Sequence, residues 1–115
     1  MVSLFKSGFL YIPQKLPVLV ASTPLAHQQG LKHRQLPDIT AFVFDSLKSR
    51  YFWMQDTPSH LDIYFCRQGK VVAQEEGVPY SLAHVGGHAC DLVLEIPQES
   101  GYPVLDLGSS VALQF

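Results

Sequence analysis

The stretch "LDIYFC" alternates Leu61, Ile63 and Phe65 against Asp62, Tyr64 and Cys66. A period of two with one wholly apolar set requires an extended strand with one buried face. "RQGK" follows, with glycine available for a positive φ, and "KVVAQE" then returns antiparallel. A central hairpin is therefore the most constrained part of the chain, and the remaining segments must fold around it.

Upstream, "GFLYI" and "LPVLVAS" read as two short strands separated by "PQK". Val18, Leu19 and Val20 run continuously rather than alternating, as in a strand buried on both faces. In "STPLAHQQGLKHRQLPD", Ser22 or Thr23 can cap a helix and Pro24 suits its first position, where a missing N–H costs nothing. Gly30 is either the stop of that two- to three-turn helix or a close-packing point. "LPD" makes a turn and "ITAFVF" resumes strand character. "DSLKSR" reads as a polar connection and "YFWM" as a further strand. Residues 77–90, "GVPYSLAHVGGHAC", read as a long loop because they hold three glycines and a proline. In "DLVLEI", Leu92, Leu94 and Ile96 share a face. Pro97, Gly101 and Pro103 limit the next segment to a single turn, and "VALQF" closes as a strand.

This pattern predicts a single α+β domain over residues 1–115, mostly antiparallel β, with one short helix near the N-terminus. A small barrel or strongly curved sheet would hide the edges of so many short strands. Core candidates are Val18, Leu19, Phe42, Phe44, Phe52, Ile63, Phe65, Val72, Leu92, Leu94 and Val111.

The chain is 47% apolar and 16% charged, too apolar for disorder. Its net charge of -2, from 8 basic and 10 acidic residues, excludes a basic nucleic-acid face. The one basic cluster, Lys32, His33 and Arg34, reads as a solvated helix end. "MVSLFKSGFLYI" resembles a weak export signal, but Pro13 and Lys15 interrupt it and no clean cleavage site follows. No run approaches the roughly 18 apolar residues of a membrane span. The expectation is a cytoplasmic chain that needs no cofactor and engages neither membrane nor nucleic acid. Cys66 and Cys90 edge apolar runs and read as buried thiols, with a disulfide, a reactive thiol or a metal ligand as the alternatives.

Several segments, in order, resemble the DUF192 family. "TPLAHQQGLK" keeps Thr23, Pro24, Gly30 and Leu31 of that family's helix, with His27 in place of arginine and Lys32 in place of methionine. "FWMQDTPSHLDI" matches its strongest segment at Phe52, Trp53, Met54, Thr57, Leu61, Asp62 and Ile63, with Asp56 for asparagine and His60 for proline. "GKVV", "ACDLVLEIP" and "LDLGSSVAL" resemble later segments. The likeness spans about residues 16–113. It implies a compact β-rich fold with an early helix, and no reaction.

The candidate chemistry centres on "QDTPSH". Asp56 and Thr57 can bond their own backbone, and Pro58 fixes φ. Trp53 and Met54 must point opposite ways, so an outward Trp53 would form a ligand platform. Asp62 interrupts an apolar strand, as an exposed carboxylate, a turn-fixing acceptor, or a ligand anchor or general base in a pocket floor. Trp53, Asp56, Thr57 and Asp62 are thus the candidate ligand-binding residues, and no catalytic set is assigned. His60, His84 and His88 are candidate metal ligands only if they converge, and "HVGGH" in a loop fixes no geometry. His88 and Cys90, two apart, would share a face of a strand as the best available dyad.

These features predict a non-enzymatic module that binds an unidentified small molecule or protein. The alternatives are a metal-assisted hydrolase using His60, His84, His88 and Asp62, and an assembly protein acting through a strand edge. The oligomeric state stays open.

Overall fold

The computed structural model describes residues 4–12, 14–29 and 38–115. Pro13, Gly30, the Lys32–Arg34 cluster and the Leu36–Pro37 part of the proposed turn lie outside the described residues. Seven strands form one sheet: β1 (Lys6–Tyr11), β2 (Lys15–Ala21), β3 (Ile39–Phe52), β4 (Leu61–Arg67), β5 (Lys70–Gly77), β6 (Val85–Pro97) and β7 (Ala112–Gln114). Their order is β5-β4-β6-β3-β2-β1-β7, antiparallel throughout except for the β2–β3 pair. The helix α1 (Pro24–Gln29) makes the crossover that this parallel pair needs. Thr23 caps it, its Oγ1 accepting from the Ala26 N–H at 3.1 Å.

The sheet curls into a half-barrel, as the strand pattern predicts. Residues 108–111 run from one edge toward the other. They bond to the start of β5 through Gly108 N–H to Val71 O (2.8 Å), Val71 N–H to Ser109 O (3.0 Å) and Val111 N–H to Gly69 O (2.9 Å). The following strand, β7, pairs with β1. Part of each sheet edge is thereby covered.

Two buried clusters lie on opposite sides of this sheet. The inner one draws Leu10, Val18, Val20, Ile39, Ala41, Tyr64, Cys66, Val71, Leu94 and Ile96 from six strands. The outer one joins Phe42, Ile63, Phe65 and Val93 to Ala26 of α1 and to Met54. The alternation in β4 feeds both: Ile63 and Phe65 go out, Tyr64 and Cys66 go in.

Three expectations need correction. "YFWM" is not a further strand: Tyr51 and Phe52 end β3, and Trp53 and Met54 lie beyond it. "DSLKSR" is not a connection but part of β3, which runs fourteen residues through a bulge between Val43 and Lys48. "VGGHAC" is not loop but the start of β6. Gly86 and Gly87, at φ 120° and 84°, absorb a register shift against Arg50 and Tyr51 instead of ending the strand. In the β4–β5 turn, Gln68 as well as Gly69 has positive φ. Both cysteines are free and buried, so the disulfide alternative is not realised.

Candidate functional site

On the outer face, β3 and β6 bring aromatic rings and polar groups around a cavity of about 480 Å³. That volume suits a small organic molecule. Phe42, Phe44 and Phe52 form one wall, with Phe52 edge-on to Phe42 at 5.4 Å and to Phe44 at 6.5 Å between centroids. Tyr51, Trp53, Gln55 and Thr57 line another part, and His27, Gln28 and Gln29 of α1 a third. Arg50 and Glu95 also line it.

Glu95 is the unusual member. It lies on β6 directly opposite Thr40 of β3 and Ile63 of β4, and only 6% of it is exposed. Its carboxyl forms no hydrogen bond or ion pair with another described residue, and its oxygens are not sealed from the cavity. Burial alone pushes its pKa up from 4.5 to about 8. Thr40 is fully buried beside it, and its Oγ1 likewise has no partner. A buried hydroxyl without a partner, and a carboxyl held away from most water, are both costly unless something else satisfies them.

Arg50 is held in place by neutral groups. Nε donates to Cys90 O at 3.3 Å, and Nη2 donates to Ser46 O at 2.5 Å and Ser46 Oγ at 3.4 Å. Its guanidinium carbon stacks 3.7 Å above the Phe44 ring centroid. A Cβ at Gly86 would collide with the Arg50 carbonyl, so glycine there permits this close approach. His27 Nε2 lies 2.8 Å from Ala21 O and 2.9 Å from Val43 O. Both partners are carbonyl oxygens, so Nε2 carries the hydrogen and donates. The ring, 4.5 Å from that of Phe44, thereby ties α1 to the bulge in β3.

The candidate residues of the central segment divide. Trp53 is 43% exposed and sits at the cavity rim, while Met54 is buried. Thr57, 4% exposed, lines the cavity; its Oγ1 donates to Gln55 O at 3.2 Å and its N–H to Met54 O at 3.0 Å. Asp56 is exposed in that turn at φ 56°, a left-handed conformation that Asp and Asn tolerate best. "QDTPSH" is thus both a turn and one edge of the cavity. Asp62 belongs elsewhere. It shares the inward side of β4 with Tyr64, opposite to Ile63, and accepts from Gln98 Nε2 at 3.0 Å.

The histidines do not gather. His60 Nε2 meets Glu76 Oε1 at 2.6 Å, His88 Nε2 meets Glu75 Oε2 at 3.1 Å, and His84 packs edge-on to Trp53. Among the described residues no three metal-ligating side chains group together, and His60, His84, His88 and Asp62 form no common centre. The His88–Cys90 dyad is also unformed. His88 Nε2 is engaged with Glu75, and burial pushes the Cys90 thiol pKa up. Burial raises Cys66 further, to about 12.

Glu95 was not among the sequence candidates. Its signal was an acid inside "LVLEI", two residues from Val93 and out of phase with Leu92, Leu94 and Ile96. A larger concavity, about 650 Å³, lies over β1 and β2, but no buried ionisable side chain lines it.

The fold is similar to that of a Sinorhizobium meliloti protein described as a candidate transcription regulator, with 25% identity and a TM-score of 0.80 over 97% of this chain and 96% of that one. It is also similar to a Novosphingobium aromaticivorans protein of unknown function, with 21% identity and a TM-score of 0.75 over 94% and 84% of the two chains. No curated protein matches the sequence. No described helix is long and apolar enough to cross a membrane. The DUF192 family model, described as Uncharacterized ACR, COG1430, matches residues 11–102, and the chain belongs to that family.

Proposed function

We propose that this chain is a non-enzymatic binding module for a small organic molecule, and that the aromatic cavity on the outer face is its site. The observation that carries this reading is Glu95, a buried carboxyl in the cavity wall with no partner among the described residues. A glutamate kept at such a cost marks a place where a ligand supplies the missing bonds. Trp53 and Thr57 belong to this site. Asp56 supports it by forming the turn, and Asp62 serves the opposite face of β4 by fixing Gln98. Glu95 forms no hydrogen bond to a nucleophile or a second base, which favours binding over catalysis.

A thermal-shift screen of the full chain against nucleotides, sugars, organic acids and amines tests the reading. A ligand at a hundred times its Kd adds about 2.7 kcal/mol, several degrees for a domain of this size. A hit weakened by both Trp53→Ala and Glu95→Gln is the expected result. A hit that ignores both and is lost with Asp62→Ala would place the site on the other face. Silence across the screen would overturn the module reading.

A further inference from the structure

This inference rests on the cavity being a ligand site and concerns the chemistry of what enters it. An acid and a base line the same cavity, and neither forms an ion pair with a described residue. Glu95 has no cation within ion-pair distance among the described residues. Arg50 has no carboxylate within 4.0 Å among them; its three acceptors are two carbonyl oxygens and a hydroxyl. Those neutral acceptors orient the guanidinium without neutralising it. Phe42, Phe44 and Phe52 line the same cavity and add apolar ring surface to it.

A ligand with one charge would answer one pole and leave the other unmatched. A simple amine that satisfied Glu95 would lie in the field of Arg50. A simple carboxylate on Arg50 would leave the Glu95 carboxyl without a partner. One molecule carrying both charges on an apolar body satisfies both. We propose that the cavity takes a zwitterionic amino-carboxylate with an apolar body, its ammonium at Glu95 and its carboxylate at Arg50.

The remaining lining groups fit this assignment. Behind the lining, Thr40 lies opposite Glu95 on the neighbouring strand, and its hydroxyl does not occupy the carboxyl by a hydrogen bond. The other ionisable side chains facing the cavity are His27 from α1 and Tyr51 from β3, and neither is an acid that could mate with Arg50. In the empty cavity the Glu95 carboxyl keeps its proton up to about pH 8, so an arriving ammonium displaces that proton into solvent. Uptake near neutral pH therefore releases close to one proton per ligand.

Isothermal titration calorimetry of the full chain is the test. The probes are straight-chain amino acids from β-alanine to aminocaproate, together with L-leucine and L-phenylalanine. The controls are the amine and the carboxylic acid of matching skeleton. At least one amino acid is expected to bind about ten-fold or more tightly than either control. Glu95→Gln should erase that advantage over the plain acid, and repeating the titration in buffers of different ionisation enthalpy should reveal the released proton. Arg50→Lys, which keeps the charge and loses the planar fork, should weaken the amino acid and the plain acid alike. Controls binding as tightly as the amino acids would overturn the zwitterion. So would silence of the whole series, or amino-acid binding that Glu95→Gln leaves unchanged. If an uncharged aromatic compound from the thermal-shift screen binds instead, the module reading survives and only the ligand class falls.

Discussion

The two faces of β3, β4 and β6 are built from the same strands and obey different rules. Inward, most side chains are apolar and the polar groups of β4 are answered: Tyr64 Oη accepts the Leu105 N–H at 3.1 Å and Asp62 Oδ1 accepts from Gln98 Nε2 at 3.0 Å. Outward, the same strands bury Glu95 and Thr40, and neither side chain has a hydrogen-bond partner among the described residues. The inner face is fully compensated and produces stability. The outer face spends some of it. Natural chains break the rule of satisfied polar groups chiefly where a function needs them unmet.

The largest effect expected from this contrast is a pH dependence of stability that comes from one residue. Below about pH 4.5 the Glu95 carboxyl is protonated in the folded and unfolded chain alike and costs nothing. Between about 4.5 and about 8 the unfolded chain has lost a proton that the folded chain keeps, so stability falls as pH rises. The slope is about 1.4 kcal/mol per pH unit for one proton, several kcal/mol over the window. Above about 8 both states are ionised and the contribution levels off. Urea denaturation of wild type and Glu95→Gln across this range should show the variant gaining steadily on the wild type; parallel curves would erase the distinction between the faces.

Truncation on the inner face should act in the other direction. Leu94→Ala opens a cavity in a filled cluster and should cost about 2–5 kcal/mol, read by the same denaturation. A loss below about 1 kcal/mol would mean that the inner face is not the compensated core. The smallest effect sharpens the contrast. Thr40→Val removes a buried hydroxyl that bonds to nothing and should stabilise the chain by about 1 kcal/mol, where an answered hydroxyl would make the change costly.

Much of the fold was legible because its signals are local. The alternation in "LDIYFC" fixes both faces of β4, and Thr23 with Pro24 fixes where α1 begins. "DSLKSR" misled because its residues are largely solvent-facing where β3 bulges, so their polarity resembles that of a loop although pairing to β6 resumes at Lys48. "VGGHAC" misled because glycine signals a loop and a bulge equally well. The site was half legible. Trp53 and Thr57 stand beside a turn whose chemistry can be read directly. Glu95 could be placed opposite in phase to Leu94, but the cavity it shares with α1 and residues of the 53–57 segment is assembled by tertiary packing. Arg50, forty residues from its acceptor Cys90, has no local signal at all.

The central claim, that Glu95 sits unanswered in a cavity wall, can be measured without any ligand. A carbon-13 NMR titration of the glutamate side-chain carboxyls, with Glu95 assigned by comparison with Glu95→Gln, reads its ionisation directly. The structure predicts a midpoint near 8, more than three units above the 4.5 of an ordinary glutamate. A midpoint near 4.5 would mean that the carboxyl is hydrated or paired in solution, and the account of the outer face would be contradicted.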